Sequence, residues 1–327
     1  MMISVVSPFF NESLILEGSV RHMLANLESL PEEWEFIIVN DGSTDDSLVL
    51  ANRLALEDAR LRVVSYPVNQ GRGYAIRQGV LVARGEVVVT TEIDSSWGDD
   101  IAHRLAAVLR GDPRVDMVVA SPHLAGGRYV NVPFKRVFLS TTANLFFRTT
   151  ISADLTMFTG MTRGYRREKF LALPLEENEK EIHLEIVSKA LAFRYSIREI
   201  PAVLEWRDQK FSGLKKSRKS SAKLGKLVRT HTVFGLVTMP FRILFGASFI
   251  MSLVALLFLG FGLLRLWAEQ PAFPFAVTGL ILLLFAFIFF SVGSLSWQVR
   301  EVQREIWALR VRLTKQSGEG DREPGSS

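Results

Sequence analysis

Two long uncharged stretches near the C-terminus restrict what this chain can fold into. Residues 243–264 carry no charged side chain over 22 positions, and residues 270–299 carry none over 30. Each stretch exceeds the roughly 20 residues that an α-helix needs to cross a bilayer core. Both are apolar all round, whereas a helix on a soluble core is apolar on one face only. We therefore predict two membrane spans, joined as a hairpin by a short bend that contains proline.

Basic residues flank the predicted hairpin on both sides. Residues 207–229 hold nine Lys or Arg and one Asp, and residues 300–315 hold five Lys or Arg and two Glu. The positive-inside rule then places both chain ends in the cytoplasm. The net charge of +5 is modest, and its position beside the apolar stretches favours anionic lipid over nucleic acid. The absence of cysteine excludes disulfides and thiolate metal sites.

The first 200 residues alternate between strand patterns and helix patterns. Strands are predicted at 3–7, 35–40, 61–66, 86–91 and 115–121, and helices at 13–28, 45–57, 72–83 and 99–110. This alternation predicts an α/β fold, with a mostly parallel, Rossmann-like sheet covered by helices on both faces. Ligands are expected at the carboxyl ends of such strands.

Short polar motifs follow the first four predicted strands. They read SPFFNE, NDGSTDD, NQGRGYAIRQG and TTEIDSSW in chain order. In the last motif, Glu92 and Asp94 would project to the same side if the extended geometry persists past Thr91. Paired carboxylates suit a hard divalent cation, Mg²⁺ or Mn²⁺. A solvated strand end is the alternative for this pair taken alone.

The third motif also has a competing interpretation. Its Gly71 and Gly73 follow a strand and open a helix, as in a dinucleotide-binding fingerprint. The third glycine of that fingerprint is missing, because Ile76 stands there. The fingerprint would also leave Asp41 and Asp94 unexplained.

Taken together, the four motifs resemble those of family 2 glycosyltransferases with the GT-A fold. The downstream TGMTRGYRRE and the paired apolar stretches resemble the polyprenyl-phosphate glycosyltransferases, the group that includes dolichyl-phosphate mannose synthase. The resemblance implies a GT-A domain over residues 1–224 and an amphipathic juxtamembrane segment over 225–242. Two transmembrane helices over 243–299 and a cytoplasmic tail helix with a disordered end over 300–327 would follow.

The resemblance assigns roles on the donor side. Asp94 and Glu92 stand where the family has its catalytic, metal-binding Asp-x-Asp, which holds Mg²⁺ or Mn²⁺ against the donor diphosphate. Asp94 is the expected ligand, whereas Glu92 is one methylene longer and would bind the metal through water or contact the donor. Asp41 would accept a hydrogen bond from the base. The implied nucleotide-sugar-binding residues are Pro8, Phe10, Glu12, Asp41, Gly71, Arg72, Arg207 and Lys223.

On the acceptor side, the resemblance implies that Arg136, Ser140 and Arg163 bind the lipid phosphate. Arg136 and Ser140 lie one helical turn apart, so both side chains can reach one phosphate. Two positions depart from the family. Pro122 replaces a phosphate-binding Arg, for which His123 beside it is the candidate substitute, and Met157 replaces an Asp sometimes proposed as a base. A phosphate monoester is already anionic near neutral pH, so no strong base is required and none is assigned.

The resemblance implies a membrane-bound inverting glycosyltransferase that moves a hexose from a UDP- or GDP-linked sugar to a polyprenyl phosphate. Its partners would be the nucleotide sugar, the lipid and the membrane. An apolar stripe in residues 297–315 suits packing on the domain, the membrane or another subunit, which leaves a homo-oligomer open. A processive polysaccharide synthase is one alternative, although its Gln-x-x-Arg-Trp motif is absent. A catalytically degenerate scaffold subunit is the other, motivated by Glu92, Pro122 and Met157.

Overall fold

The computed structural model describes residues 1–151, 154–206 and 240–320. The chain divides into two compact units, one N-terminal and one that contains the last two helices. Arg207, Lys223, the predicted boundary at 224, most of the juxtamembrane segment and residues 321–327 lie outside the described residues. Those parts of the sequence interpretation therefore stay predictions.

The N-terminal unit contains nine strands among its described residues. They are β1 Ile3–Phe9, β2 Trp34–Asp41, β3 Leu61–Tyr66, β4 Val87–Thr90, β5 Met117–Ser121, β6 Arg128–Val130, β7 Arg163–Arg166, β8 Ile197–Pro201 and β9 Val203–Glu205. Its helices are α1 Leu16–Leu27, α2 Ser47–Glu57, α3 Arg72–Val82, α4 Ile101–Gly111, α5 Phe134–Ile151, α6 Arg167–Leu171 and α7 Ile182–Ala192. The first five strands and first four helices lie where the sequence patterns predict them.

Seven strands form one mostly parallel sheet in the order β3-β2-β1-β4-β7-β5-β8. The exception to the parallel arrangement is β7, which runs antiparallel between β4 and β5. All eight residues of β2 are buried, as expected for a central strand covered on both faces. The predicted α/β architecture is confirmed. A second, two-stranded sheet pairs β6 with β9.

The C-terminal unit is a helical hairpin of α8 Pro240–Trp267 and α9 Phe273–Gly320. The two helices run antiparallel, because Phe245 packs near Phe290 while Phe261 packs against Phe275. Leu244–Trp267 and Phe273–Val299 have mean hydropathies of 2.4 and 2.7. Only 17% and 11% of these stretches are buried, unlike the core helix of a soluble protein. Both helices are long and apolar enough to cross a membrane.

The tail differs from the sequence-based expectation. The second span and the tail helix, predicted as separate segments that meet at residue 300, form one continuous helix, α9, which ends at Gly320. The sequence around residue 300 contains no proline or glycine that would break it. The apolar span is therefore continuous with the charged tail.

Candidate active site

The donor-type residues gather at the carboxyl edge of the parallel strands. Phe10 follows β1 with 44% of its surface exposed. The neighbouring Asn11 has a left-handed φ of 54°, and its side-chain oxygen accepts the backbone N–H of Thr44 at 2.8 Å. Glu12 donates its backbone N–H to the Ser47 hydroxyl at 2.9 Å. The loops after β1 and β2 are thereby held together. Pro8, the penultimate residue of β1, lies at the same edge.

Asp41, the last residue of β2, holds the end of β3 and the loop that follows it. Its carboxylate accepts the Tyr66 hydroxyl at 2.8 Å and the backbone N–H groups of Gln70 at 2.8 Å and Gly71 at 3.1 Å. Burial, together with the bond to Asp41, raises the pKa of Tyr66, so its hydroxyl stays a neutral donor. The side chain expected to contact a base is therefore also the anchor of the Gly71 loop.

Gly71 and Arg72 connect this loop to the motif that contains Glu92 and Asp94. Gly71 has a φ of +96°, and a Cβ there would lie 2.5 Å from the carbonyl oxygen of Asn178. The position therefore requires glycine for both its backbone conformation and its close packing. The next residue, Arg72, is exposed, and its guanidinium lies 3.9 Å from Glu92 Oε1. This arrangement brings the third and fourth strand-end motifs together.

Glu92 and Asp94 lie in a turn after β4, since the strand ends at Thr90. The extended geometry considered from the sequence does not persist to these residues. Glu92 Oε2 accepts the Trp97 indole N–H at 2.6 Å and the Ser96 hydroxyl at 3.1 Å. Asp94 Oδ1 accepts the backbone N–H of Ser96 at 3.1 Å. Burial and the nearby Asp94 carboxylate raise the pKa of Glu92.

This donor set fits a hard divalent cation that also binds a substrate. No group of three or more His, Asp or Glu side chains in a metal-binding arrangement occurs within the described ranges. Mg²⁺ is commonly held by one or two carboxylates, with waters and substrate phosphates completing the shell. Glu92 and Asp94 supply that number of carboxylates. Hydrogen bonds from Ser96 and Trp97 orient them.

A second polar cluster lies beyond β5, and we call it the acceptor cluster. It consists of His123, Tyr129, Ser140 and Asn144. The Tyr129 hydroxyl lies 2.9 Å from His123 Nε2 and 3.0 Å from the Ser140 hydroxyl. The Asn144 side-chain amide donates to the Ser140 hydroxyl at 3.2 Å. Burial lowers the pKa of His123 below its ordinary value and raises that of Tyr129. Both side chains are therefore neutral at pH 7.

Arg136 lies one turn before Ser140 on α5, as expected. Its guanidinium stacks over the Trp206 ring, 4.2 Å from the centroid, which is a cation–π geometry. Phe134 and Phe138 on the same helix are 79% and 62% exposed and stack on each other. The acceptor cluster thus adjoins both a cation and an exposed apolar surface.

The position of Arg163 differs from the one expected for a lipid-phosphate-binding residue. It lies in β7 and is completely buried. Its guanidinium donates to the carbonyl oxygens of His183 at 2.8 Å and Phe158 at 2.6 Å. An arginine enclosed in this way faces the protein interior, so this placement does not support the predicted contact of Arg163 with a lipid phosphate.

Met157 is buried, as is common for an apolar side chain. Its backbone N–H donates to Glu199 at 2.8 Å, and its sulfur lies 3.5 Å from the Asn144 amide nitrogen. Gly160 packs on the Met157 side chain, and a Cβ there would also meet the Trp97 ring at 3.6 Å. Trp97, Gly160 and Met157 therefore connect Glu92 to the acceptor cluster.

Sequence reasoning missed several of these residues. Tyr129 and Asn144 were not singled out, and neither was Trp206, which ends the described part of the domain. Asn144 follows Ser140 by four residues on the same helix, so helical spacing was a usable signal for it. No comparable signal exists for Tyr129, because β6 is only three residues long.

Comparison with known proteins identifies the family of the chain. The model of the family described as glycosyl transferase family 2 matches residues 4–173. Glycosyltransferase AglD of Haloferax volcanii is 29% identical over 208 residues, which are 62% of this chain and 33% of that protein. Undecaprenyl-phosphate mannosyltransferase of Micrococcus luteus is 26% identical over 242 residues, 72% of this chain and 95% of that protein. The chain thus spans only a third of the first relative but nearly all of the second.

A solved structure supports the fold. Glucosyl-3-phosphoglycerate synthase from Mycobacterium tuberculosis, in complex with Mn²⁺, uridine diphosphate and glucosyl-3-phosphoglycerate, superposes with a TM-score of 0.53 at 21% identity. The match covers 73% of this chain and 80% of that one. The domain is therefore GT-A-like. With more than half of its length matched by the family model, the chain belongs to glycosyl transferase family 2.

Proposed function

We propose that this protein is a membrane-bound glycosyltransferase that moves a hexose from a nucleotide sugar to a polyprenyl phosphate. The observation that carries the proposal is the presence of two polar sites after the parallel strands β4 and β5, linked by Trp97, Gly160 and Met157. One site has the carboxylates Glu92 and Asp94, and the other places Ser140 and Arg136 beside exposed phenylalanines. A lipid that ends in a phosphate matches the second site in both charge and apolarity. The name of the Micrococcus luteus relative supports this acceptor class.

The donor side would hold the nucleotide sugar along the strand ends. Pro8, Phe10 and Glu12 would line the nucleotide pocket, and Asp41 would shape it through the Gly71 loop. Arg72, exposed beside Glu92, is suited to a diphosphate oxygen. Arg207 and Lys223 stay predicted donor contacts on sequence grounds.

Asp94, with Glu92 beside it, would hold the divalent cation, and we propose Mg²⁺ or Mn²⁺. Bound there, the cation would supply Lewis-acid stabilisation of the charge that develops on the leaving diphosphate. Ser96 and Trp97 keep the two carboxylates oriented. Arg72 adds a fixed positive charge on the same side.

The acceptor phosphate would bind at Arg136 and Ser140, and one of its oxygens would attack the anomeric carbon. Attack from the face opposite the diphosphate would invert the configuration. The two apolar helices would anchor the protein in the membrane, and the positive-inside rule favours both termini in the cytoplasm. The exposed rings of Phe134 and Phe138 suit the bilayer interface, where aromatic side chains are enriched.

The test is transfer by the purified full-length protein in lipid nanodiscs. UDP- and GDP-hexoses are offered with a short polyprenyl phosphate, and the lipid product is identified by mass spectrometry. We expect one donor to be used, transfer to be abolished by EDTA, and Asp94→Asn to lower the rate about 100-fold or more. Asp100→Asn, a nearby exposed position, is the matched control. Donor binding without turnover across the panel would favour a degenerate scaffold subunit instead.

A further inference from the structure

His123 is the centre of the acceptor cluster. Its Nε2 lies 2.9 Å from the Tyr129 hydroxyl, 3.4 Å from the Ser140 hydroxyl and 3.4 Å from the Asn144 amide nitrogen. Its backbone N–H donates to the Ser121 hydroxyl at 3.2 Å, which fixes the backbone of His123 just after β5. One ring nitrogen is therefore surrounded by three groups that can each donate a hydrogen bond.

This arrangement favours one state of the ring. Burial lowers the pKa of His123, so the imidazole is neutral near pH 7. The Asn144 amide nitrogen can only donate, and a nitrogen that accepts from it carries a lone pair. We therefore assign the proton of the neutral ring to Nδ1, leaving Nε2 as a base. All of these side chains except Asn144 are partly exposed, so a ligand can reach them.

The surroundings hold the imidazole in a chain of contacts. Met157 is buried, and its sulfur lies 3.5 Å from the Asn144 amide nitrogen. Asn144 in turn contacts His123 Nε2. The acceptor nitrogen of the ring therefore lies at the partly exposed end of this chain of contacts.

We propose that His123 accepts the proton of an acceptor phosphate monoanion and, as an imidazolium, then balances the charge of the resulting dianion. The inference rests on the proposed function and deepens it by naming a catalytic residue for the acceptor. Ser140 and Tyr129 donate hydrogen bonds to the phosphate. The proton moves from the phosphate O–H to Nε2, and the freed oxygen forms the new bond to the anomeric carbon. The bond to the diphosphate breaks, the diphosphate leaves with the electron pair, and the imidazolium later releases its proton to water.

The pH dependence follows from two titrations. The second pKa of a phosphate monoester is about 6, so the monoanion becomes the main species below that pH. Burial lowers the pKa of His123 and so extends the neutral form of the imidazole toward lower pH. Ionisable side chains on the surrounding elements are Tyr129 on β6, Arg136 on α5 and Glu199 on β8. Burial raises the pKa of Tyr129, and Arg136 stays charged throughout this range. Burial likewise raises the pKa of Glu199, which accepts hydrogen bonds from Thr156 and Met157.

The kinetic test is the pH profile of kcat/KM for the acceptor with His123→Gln. Glutamine keeps hydrogen-bonding capacity but cannot take the proton. We expect the loss to be about tenfold greater at pH 6, where about half of the phosphate is the monoanion, than at pH 8, where the dianion already predominates. His103→Gln on α4 is the matched control and should follow the wild type. A loss of the same size at every pH would overturn the proton-accepting role.

A second measurement does not depend on transfer. In ¹³C-histidine-labelled full-length protein, the His123 signal is titrated by NMR with and without a soluble short-chain isoprenyl phosphate. We expect the phosphate monoester to raise the pKa of His123, and an unchanged titration would overturn the proposal. If the wild type uses no polyprenyl phosphate yet the pKa rises, the proposed function fails while the phosphate-coupled imidazole stands.

Discussion

The Trp97 indole N–H donates to Oε2 of Glu92 at 2.6 Å, and the same oxygen accepts the Ser96 hydroxyl. The glutamate that departs from the family's Asp-x-Asp therefore has partners suited to its length. Its other oxygen faces Arg72. The extra methylene lets one carboxylate contact the indole and the guanidinium together.

Glu92→Asp should reduce activity even though it produces the family's motif. The shorter side chain withdraws the carboxylate from Trp97 and Ser96, and hydrogen bonds to charged groups contribute about 1.5–3 kcal/mol. We expect kcat/KM for the donor to fall tenfold or more. Glu86→Asp, at an exposed position before β4, is the control. Activity at or above the wild-type level would show that the contacts of Glu92 are incidental.

Trp97→Phe should weaken the use of the metal while the ring still packs near Gly160. Removing the N–H leaves Glu92 Oε2 with the Ser96 hydroxyl and a less fixed orientation. The Mn²⁺ concentration for half-maximal transfer should rise about tenfold, as measured by metal titration. Trp34→Phe, a buried tryptophan at the start of β2, controls for loss of an indole. An unchanged metal requirement would contradict the positioning role of Trp97.

Gly71→Ala should impair donor binding. The added Cβ would lie 2.5 Å from the Asn178 carbonyl oxygen, at a φ of +96° that alanine rarely adopts. The loop must shift away from Asp41, so we expect the donor KM to rise several-fold and the stability to fall by more than about 1 kcal/mol. Gly111→Ala, where a Cβ meets nothing within 4 Å, is the matched control. Equal behaviour of the two variants would argue against a closely packed loop.

Glu35→Gln should destabilise the domain by about 2–4 kcal/mol at pH 7. Burial alone would raise the pKa of Glu35. Hydrogen bonds from Ser4, the Arg84 N–H and Arg62 outweigh burial, and the pKa is lowered. The Ser4 and Arg62 donors each lie 2.6 Å from the carboxylate.

The stabilisation by Glu35 should therefore depend on pH. It is complete above the unfolded-state pKa of about 4.3 and is lost as the pH falls through the lower folded-state pKa. Thermal unfolding at pH 7 and at lower pH should show the difference between Glu35→Gln and the wild type shrinking with acid. Exposed Glu33→Gln should match the wild type throughout. A pH-independent difference would contradict the charged state of Glu35.

Replacing both Phe134 and Phe138 by Ser should impair the use of a membrane-embedded acceptor. Both rings are largely exposed on α5 near Ser140, and contact with lipid would remove them from water. We expect the KM for a long-chain polyprenyl phosphate in vesicles to rise about tenfold, with little change for a soluble short-chain acceptor. The double variant Val49→Ser and Leu56→Ser, at exposed apolar positions on α2, is the control. Equal effects on both acceptors would exclude a lipid-specific role.

The sequence predicted the part of the fold that apolar patterning determines. Strands β1, β2, β4 and β5 are almost continuously buried, and the helices between the first five strands have clear polar boundaries. The later strands escaped prediction because their patterns are weak. Strand β7 begins with Arg163 and ends with Arg166, and β8 has two adjacent charged residues, Arg198 and Glu199, at its centre. Their pairing is set by long-range contacts with β4 and β5, which local patterns do not encode.

The site was predictable where its residues follow one another in a motif. Glu92, Asp94 and the Arg136–Ser140 pair are of this kind. Trp206 and Tyr129 reach the site only through the pairing of β6 with β9. The burial of Arg163 likewise depends on where β7 enters the sheet. The sequence motifs therefore identified candidate site residues, but not the residues that position them.

The antiparallel strand β7 also sets the distance between the carboxyl ends of β4 and β5. Because it lies between β4 and β5, the carboxyl ends of these two strands point the same way but are two interstrand spacings apart, about 10 Å. Glu92 and Asp94 follow one of these ends, and His123 follows the other. Under the proposed function, a spacing of this size would leave room for the attacking phosphate and the leaving diphosphate on opposite faces of one anomeric carbon.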